Sequence, residues 1–363
     1  MLADQLSSTF DVFKTKAPAL LGVDIASTSI KMVELADAGK GLYRLERYVV
    51  EPIPRDVVTD GNVVNVELAG DAIKRAWKRL GSRLRNVALA LPAAMVITKK
   101  IIVAAGQREE DLELTVEAEA NQYIPFALDE VNLDFQELGP APNNPDEVEV
   151  LIAASRKEKV EDRVAAAELA GLKVRVMDVE SYATQAAYKL ITPSLPANGR
   201  DQNVALVDIG AHVTHFYVLR NDEILFSRDQ AFGGNQLTQD IQRAFNLSAD
   251  EAESARRNQG LPENYDRDVQ QPFMESLALE VTRALQFFFT STSYNQVDQI
   301  ILGGGCALLP GLDDLIAKRA GVATLVANPF ASMRVSERIR PRQLAQEAPM
   351  LMIASGLALR SFE

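Results

Sequence analysis

Blocks of apolar and polar residues predict two similar sets of strands. From Leu20 the chain reads LLGVDIAS, SIKMVELAD and LYRLERYVVEPI, three runs separated by turn-forming residues, which is typical of a strand meander. A second meander, NVALVDIGAH, VTHFYVLRND and EILFSRDQAF, begins at Asn203. Aligning GVDIASTSIKMVEL with LVDIGAHVTHFYVL places Asp24 on Asp208. The repeat indicates an internal duplication, with chance similarity between two short apolar hairpins as the alternative.

A segment with helical spacing and a further strand follow the first meander. Residues 68–80 carry apolar positions at helical spacing and end at Gly81, and residues 86–91 are typical of a buried strand. Between about Met95 and Lys173 the pattern changes to strand (VITKKIIVA), helix (109–122), strand (VNLDFQEL) and strand (VEVLIAAS). The sequence therefore predicts an α/β protein that carries a compact inserted module.

Composition and charge exclude several classes of protein. The 363 residues are 47% hydrophobic and 24% charged, which is typical of a globular chain of two domains or one domain with an insertion. A formal charge of −12 disfavours a nucleic-acid partner. Because Cys306 is the single cysteine and the histidines are His212 and His215, an intrachain disulfide and a Cys/His zinc cage are excluded.

The sequence favours an unexported, soluble protein. The apolar stretch 87–97 is interrupted by Pro92 and is shorter than the roughly 20 residues of a membrane helix. Charged residues occupy the positions where a secretory signal would have its apolar core: Asp4, Asp11, Lys14 and Lys16. Residues 1–18 also carry apolar side chains at near-helical spacing, so they are either an amphipathic helix that touches a membrane or partner, or a frayed tail.

The first hairpin carries a candidate phosphate and magnesium site. Asp24 lies at the end of an apolar strand, and Ser27, Thr28 and Ser29 form the next turn. Small hydroxylated residues can surround an anion, Lys31 can add a positive charge, and Asp24 can hold magnesium through water. The alternative is a hairpin with a polar turn and an outward aspartate, which the motif alone favours.

Asp208, Gly210 and Ala211 repeat this arrangement in the second half. Gly210 permits close approach of a ligand to the backbone, and two such hairpins facing each other would form a magnesium-phosphate clamp. His212 and His215 lie on a turn and a strand, so their side chains need not converge. Each histidine alone is more typical of a structural residue than of a ligand or base.

A third element is a glycine turn with a charged helix before it. Gly303, Gly304 and Gly305 separate an apolar strand from a helix, which allows a flat ligand to lie on bare backbone. Upstream, Glu280 and Arg283 share a helix face, where Arg can stack on a base and Glu can accept bonds from a ribose. The alternative for this pair is a surface ion pair.

These motifs occur in the order found in the actin-like ATPases, and the chain resembles that superfamily over about residues 20–360. The segments EAEANQYIPF, FGGNQLTQDI, ILGGG and ANPF resemble the PilM family of type IV pilus assembly proteins, and the inserted module resembles the SHS2-type insertion of FtsA. The resemblance implies an actin-like fold with ATP and Mg²⁺ in a cleft between two lobes. It adds Gly233 and Gly234 to the nucleotide-binding residues and assigns the metal, through water, to Asp24 and Asp208.

The resemblance also implies an organisation of the chain. We expect, in order, a tail (1–19), a first lobe (20–94), the inserted module (95–173), the rest of the first lobe with the interlobe connection (174–199), a second lobe (200–344) with a helical subdomain at about 235–295, and a helix that returns to the first lobe (345–363).

One motif departs from the superfamily pattern. The usual second hairpin reads D-[IL]-G-G-G-T-T-D, and this chain replaces four of its positions with Ala211, His212, Val213 and His215. The crowded turn predicts at most slow ATP hydrolysis. The residue that orients water in some relatives corresponds to Glu180 or Gln185, and the sequence does not choose between them.

For function, the resemblance implies a cytoplasmic scaffold at the inner face of the cytoplasmic membrane that binds the cytosolic amino-terminal tail of a PilN-like inner-membrane protein. The proposed contacts are Tyr123, Ile124, Pro125 and Phe126, and the alternative is that these side chains pack the module. A self-polymerising filament of the FtsA or MreB type is a second hypothesis. An actin-fold sugar kinase is a third, for which the sequence has no signature of a base or sugar pocket.

Overall fold

The computed structural model describes residues 19–142, 144–257 and 260–362. The predicted amphipathic segment 1–18 lies outside these residues. The first lobe begins with a meander and a helix: β1 (Leu21–Ile25), β2 (Ser29–Gly39), β3 (Leu42–Pro52), the short hairpin β4 (Val58–Thr59) and β5 (Asn62–Val63), α1 (Val66–Leu80) and β6 (Asn86–Leu91).

Local sequence explains the ends of α1. The Asn65 side chain accepts a hydrogen bond from the Leu68 N–H at 2.8 Å, which caps the helix start. Gly81 adopts a left-handed conformation and its N–H bonds the Trp77 carbonyl, which ends the helix.

The inserted module comes after β6 and consists of β7 (Ile97–Ala104), α2 (Glu109–Tyr123), β8 (Val131–Ala141) and β9 (Asn144–Arg156). Its antiparallel sheet has the order β7-β9-β8, and α2 covers one face through a core that includes Ile101, Val116 and Ile152. The strand, helix, strand, strand order matches the sequence pattern. From its contacts, the inserted module denotes residues 97–156.

The chain then returns to the first lobe as α3 (Lys157–Leu169), β10 (Lys173–Val179) and α4 (Glu180–Ile191). Although the predicted boundary at 173 assigns α3 to the module, Ala166 and Ala167 of α3 pack in one core with Ala72 and Ile73 of α1. The physical reason is that α3 presents small apolar side chains to α1 and none to the module's core.

The second lobe repeats the order of elements. Its elements are β11 (Val204–Ile209), β12 (Thr214–Arg220), β13 (Glu223–Gln230), α5 (Gly234–Phe245), α6 (Ala249–Arg257), α7 (Gln271–Ser291), β14 (Gln299–Gly304), α8 (Leu312–Ala320) and β15 (Thr324–Val326). The strand order is β13-β12-β11-β14-β15, and the first lobe has the corresponding order β3-β2-β1-β6-β10. This shared topology supports the duplication over chance similarity.

The carboxyl-terminal segment crosses back to the first lobe. It forms β16 (Arg334–Val335), α9 (Pro341–Glu347) and α10 (Met352–Leu359); the strand pairs with β3. One helix was expected from residue 345, but a 3₁₀ turn that contains Pro349 separates α9 from α10, because proline cannot donate the helical bond.

Small residues allow α10 to lie against α4 and β1. A Cβ on Gly356 would fall 1.7 Å from the Ala183 carbonyl oxygen, and one on Gly22 would fall 2.0 Å from the Ala354 carbonyl oxygen. On its other side α4 contacts the second sheet, where Tyr188 packs with Leu206. The two lobes are therefore joined through α4 and α10.

Candidate functional site: the cleft between the lobes

The first hairpin holds a buried ion pair. Asp24 lies opposite Lys31 in the β1–β2 register, is 3% exposed, and its Oδ2 lies 2.7 Å from Lys31 Nζ. Burial lowers the pKa of Lys31, but attraction by Asp24, the hydrogen bond to it, and attraction by Asp208 and Glu180 raise that pKa above its ordinary value. Lys31 is therefore a cation in the neighbourhood of three carboxyl groups.

The second hairpin has a cation at the equivalent place. His215 lies opposite Asp208 on β11 and opposite Asp229 on β13, with 2.7 Å between His215 Nδ1 and Asp229 Oδ1. Burial lowers the pKa of His215, but the hydrogen bond to Asp229 and the charges of Asp208, Asp229 and Glu180 raise it to about 9. The imidazole is therefore charged at neutral pH.

Glu180, the first residue of α4, joins the two hairpins electrostatically. Burial raises its pKa to about 7; Arg163 lowers it, Asp24 raises it, and His215 and Lys31 lower it. Burial also raises the pKa of Asp208, which His215 and Lys31 lower and Asp24 raises. These mutual effects connect both lobes, so the structure brings the two aspartate hairpins to one cleft.

Asp208 and Glu180 are carboxyl groups whose charge the surrounding cations do not fully neutralise, so this part of the cleft suits a bound cation. Burial outweighs the attraction of His215 and Lys31 at Asp208, and it outweighs the attraction of Arg163, His215 and Lys31 at Glu180. Both carboxyl groups would therefore gain from additional positive charge. Among the described residues no three His, Cys, Asp or Glu side chains form a direct metal cage. Carboxylates that lack full neutralisation are donors of the kind that hydrated magnesium takes, since this ion keeps most of its own waters and needs few protein ligands.

The turn of the second hairpin contacts the start of α5. The Gly234 N–H donates to the Gly210 carbonyl at 2.9 Å, and the Asn235 N–H donates to the Ala211 carbonyl at 2.7 Å. A Cβ on Gly233 would fall 2.6 Å from the Gly210 carbonyl oxygen, so a side chain there would displace the turn. The structure thus brings together the predicted Gly210, Ala211, Gly233 and Gly234.

The glycine turn at the end of β14 lies beside β11. Gly303 pairs with Asp208 and Gly304 with Ile209, and Gly304 has a φ of +85° with a Cβ position 2.2 Å from the Ile209 carbonyl oxygen. Gly305 is exposed, and a Cβ there would meet nothing within 4 Å. The turn therefore joins the Asp208 hairpin on one side and leaves open backbone on the other.

The turn of the first hairpin is tight. The Ala26 N–H bonds the Ser29 carbonyl at 3.1 Å, and the Ile53 N–H bonds the Thr28 carbonyl at 3.1 Å. Ser29 is buried, Ser27 is half-buried and Thr28 is exposed. Ser27 and Thr28 are therefore the hydroxyls of this turn that remain accessible.

Some of the predicted residues have hydrogen-bond partners outside this charged cluster. Gln185 Nε2 donates to the Asp222 carbonyl at 2.6 Å, at the β12–β13 turn, so its amide already joins α4 to the second lobe. Arg283 Nη1 donates to Glu280 Oε1 within α7, and the Arg283 side chain is 54% exposed. The contacts of this pair match the surface ion pair that the sequence left as the alternative.

The predicted partner segment divides into buried and exposed residues. Ile124 is buried in the core of the inserted module, whereas Tyr123, Pro125 and Phe126 are exposed. Lys99 Nζ lies 4.9 Å from the centre of the Tyr123 ring, and Arg156 Cζ lies 5.4 Å from that of Phe126. The two aromatic rings thus form an exposed corner beside two cations.

A second concave surface lies where the module meets both lobes. A pocket of about 330 Å³ is lined by the chain leading into β7 and the start of that strand, the β10–α4 junction, β12 and β13. Its residues are Ala93, Ala94, Val96, Thr98, Val179, Ser181, Tyr217, Ser227, Arg228 and Asp229. Both β13 and β10 are edge strands of their sheets. An extended peptide is the shape that such a junction accommodates.

Two residues of the charged cluster were missed from the sequence. Asp229 faces His215 only because β13 pairs with β12 in this register. Arg163 is 2% exposed and is one of the charges that act on Glu180. Its spacing to Ala166, Ala167 and Ala170 on one helix face was the available signal, because that periodicity marks Arg163 as inward-facing.

In the part of the chain that the structure describes, no helix has the length and apolar character needed to cross a membrane.

Two lobes of equal topology, with matching aspartate hairpins on a shared cleft, define an actin-like protein. The chain belongs to the family described as type IV pilus assembly protein PilM, whose model matches residues 22–362.

Individual relatives agree with this assignment. The chain is 31% identical to a chain of the PilM-PilN type IV pilus biogenesis complex, with a TM-score of 0.79 over 95% of this chain and 99% of that one. Cell division protein FtsA of Enterococcus hirae is 24% identical over 350 residues, which cover 85% of this chain and 77% of FtsA. The ethanolamine utilization protein EutJ from Carboxydothermus hydrogenoformans shares the fold, with 18% identity and a TM-score of 0.55 over 99% of each chain. The predicted family and the predicted actin-like fold are confirmed.

Proposed function

We propose that this chain is an ATP-binding cytoplasmic scaffold of the type IV pilus assembly platform, which holds the cytosolic amino-terminal tail of a PilN-like membrane protein at the inner face of the membrane. The observation that carries the proposal is the similarity, over 95% of the chain, to a chain of a PilM-PilN complex. The cleft and the inserted module provide the two binding functions.

The nucleotide part of the proposal rests on the facing hairpins. Asp24 and Asp208 would hold magnesium through water, and the ion would place positive charge beside the Asp208 carboxylate and the phosphates. Ser27, Thr28 and Lys31 would contact phosphate on one side, with Gly210, Ala211, Gly233 and Gly234 on the other. The buried Ser29 would shape the first turn through its carbonyl, which accepts from the Ala26 N–H. The glycine turn, Gly303 to Gly305, would face the adenosine with the open backbone at Gly305. Glu280 and Arg283 would contact the adenosine after their ion pair opens.

The positive charge of His215 at the second hairpin supports a protein that binds ATP and hydrolyses it slowly at most. His215 is a cation that is held by Asp229 at a position where the superfamily pattern has an aspartate. Of the two candidates for orienting water, Glu180 belongs to the charged cluster, while the Gln185 amide is bonded to Asp222. We therefore retain Glu180.

The nucleotide proposal is tested by thermal denaturation with Mg·ATP. A ligand at 100 times its dissociation constant stabilises the native state by about 2.7 kcal/mol, so the wild-type protein should melt several degrees higher with millimolar Mg·ATP. The variants Asp24→Ala and Asp208→Ala should weaken binding chiefly when Mg²⁺ is present. Arg283→Ala should weaken it with or without the metal, since stacking on adenine does not involve the ion. If Mg·ATP did not change the melting temperature of the wild-type protein, the proposal of nucleotide binding would be refuted.

The second part of the proposal places the peptide of the PilN-like partner on the exposed aromatic corner of the inserted module. Tyr123, Pro125 and Phe126 would contact the peptide, and the buried Ile124 would hold them in place. Aromatic rings beside cations supply large contact area at an interface. The pocket at the module junction is the competing location for the same peptide.

Calorimetry with a synthetic peptide of the PilN-like tail separates these locations. Replacing both Tyr123 and Phe126 with Ala should weaken binding at least tenfold, because truncating dominant interface residues costs about 2 kcal/mol or more. Leu114→Ala is the matched control, since Leu114 is an exposed apolar residue of the same helix and should leave binding unchanged. Ser227→Trp would fill the pocket from an exposed strand position. If only that variant abolished binding, the peptide would lie in the pocket instead.

A further inference from the structure

Both connections between the inserted module and the first lobe reach one small region. The incoming connection is the turn at residues 92–96 between β6 and β7, and the outgoing one is immediate, because β9 ends at Arg156 and α3 begins at Lys157. Any displacement of the module relative to its lobe must pass through these two segments.

The incoming turn contacts the β4–β5 hairpin. Gly61 has a φ of +76°, and a Cβ there would fall 2.7 Å from Pro92 Cγ and 3.2 Å from Met95 Cε. Residues 92–95 therefore press directly against the backbone of Gly61.

The outgoing helix contacts the same hairpin through Arg163. Its Nη2 donates to the Gly61 carbonyl at 2.8 Å, and its Nη1 donates to the Ile25 carbonyl at 3.3 Å. Ile25 is the last residue of β1 and immediately precedes the turn of the first hairpin. A single buried side chain thus joins α3, the first-lobe helix that directly follows the module, to the β4–β5 hairpin and to the proposed phosphate-binding turn.

The position of this guanidinium depends on those two carbonyls. Among the described residues no carboxylate lies within ion-pair distance of Arg163, although Glu180 and Asp24 act on it electrostatically. A hydrogen bond of 3.3 Å is already near the limit of useful geometry. A shift of α3 by an ångström would therefore either break the bond to Ile25 or move the end of β1.

We infer that Arg163 is a positioning residue that couples the inserted module to the phosphate-binding hairpin, so that nucleotide in the cleft and a peptide on the module change each other's affinity. The inference rests on the proposed function and adds its regulation. Coupling between two binding sites is reciprocal, so the effect of nucleotide can be followed first in the segments that join the hairpin turn to the module, residues 58–63 and 157–169.

Hydrogen exchange on the full-length wild-type protein, with and without Mg·ATP, provides the first measurement. Amides of the hairpin turn, residues 26–29, should exchange more slowly when nucleotide binds, since exchange reports local opening. If Arg163 transmits the effect, residues 58–63 and 157–169 should also slow at least threefold. Protection confined to residues 26–29 would overturn the inference.

The variant Arg163→Gln removes both bridging bonds and the charge. We expect protection of residues 58–63 and 157–169 to be lost while Mg·ATP still protects residues 26–29. Arg360→Gln is the control, because it breaks another arginine contact of the same lobe, Arg360 Nε to Asp178 at 2.8 Å, and should leave the response intact. An unchanged response in Arg163→Gln would overturn the inference.

Arg163→Lys keeps the measurement decisive if the glutamine variant does not fold. Lysine retains the charge but presents one nitrogen instead of a planar fork, so we expect a response reduced at least threefold, and a full response would overturn the inference. If Mg·ATP does not bind the wild type, the proposed function fails and the inference fails with it. If it binds without slowing residues 157–169, the inference alone fails.

Discussion

The two lobes share a strand order, but they differ in the segment that follows one pair of equivalent strands, β6 and β14. In the first lobe β6 lies beside β1 and leads into the inserted module; in the second lobe β14 lies beside β11 and leads into the glycine turn. Both connections leave the sheet beside the strand that carries an aspartate, where α/β sheets bind ligands. The second lobe therefore has bare backbone at this place, and the first lobe has a whole module there.

The hairpins show a second difference on the same plan. Lys31 and His215 occupy equivalent positions opposite Asp24 and Asp208. Lys31 pairs directly with Asp24, whereas His215 bonds Asp229 on the third strand. Asp24 is therefore neutralised within its own hairpin, and Asp208 keeps a pKa that burial raises. Five changes would break or sharpen this comparison.

The largest effect is expected at the close approach of β14 to β11. Gly304→Ala should lower the free energy of unfolding by about 3 kcal/mol or more, because it adds a Cβ to a left-handed residue and against the Ile209 carbonyl. Gly305→Ala, at the next residue of the same turn but with open space around its Cβ, should change stability by less than about 0.5 kcal/mol. Urea denaturation measures both, and equal losses would show that the close approach is not the reason for glycine at this position.

The two aspartates should differ in the metal-free protein. Asp24→Asn should destabilise by about 2–3 kcal/mol, since it leaves Lys31 largely buried without its partner. Asp208→Asn should leave stability unchanged or raise it, because it removes a carboxyl group whose ionisation burial disfavours. Urea denaturation in EDTA compares them. A larger loss from Asp208→Asn would reverse the assignment of the neutralised hairpin.

Glu180 should make stability depend on pH. Its pKa in the folded protein is about 7, above its ordinary value, so the folded state binds the proton more tightly than the unfolded state. Stability should fall as pH rises from about 4.5 to 7 and then level off. Glu180→Gln should be more stable than wild type at pH 8 and lack this part of the fall. Parallel curves for the two proteins between pH 4.5 and 7 would contradict the raised pKa.

The His215–Asp229 contact should have a smaller effect. A histidine pKa of about 9 means that its contribution to stability is complete below about 6.5 and disappears as pH rises through 9. Asp229→Asn should move the pKa from about 9 toward the ordinary value, as measured by NMR of the imidazole in metal-free protein. If the pKa of His215 were the same in Asp229→Asn as in the wild type, Asp229 would not be the charge partner of His215.

The smallest effect on stability is expected on α7, the counterpart of α1. Arg283→Ala should change the free energy of unfolding by less than about 0.5 kcal/mol, because exposed ion pairs contribute little. In α1, Arg79→Ala is the matched control, since Arg79 also forms an exposed contact with a carboxylate, Glu51. A loss of more than about 1 kcal/mol from Arg283→Ala would show that Arg283 has a structural role in the second lobe.

The sequence alone determined the local elements and the order in which they occur. The boundaries of β6 result from an apolar run that ends before Pro92, and those of α1 result from helical spacing that ends at Gly81. The strand, helix, strand, strand pattern of the module and the two aspartate hairpins were also predictable. Each of these rests on periodicity and turn residues within about a dozen positions, which are properties that a linear pattern records.

The tertiary structure decided which of these elements meet. Ile124 looked like part of a binding surface and is core, because the apolar face of α2 and its end lie on the module's sheet. Arg163 bonds carbonyls 138 and 102 positions away in the chain, and Glu180 joins two hairpins that belong to different lobes. Burial and charge at these residues depend on neighbours that are distant in sequence, so no local pattern could specify them.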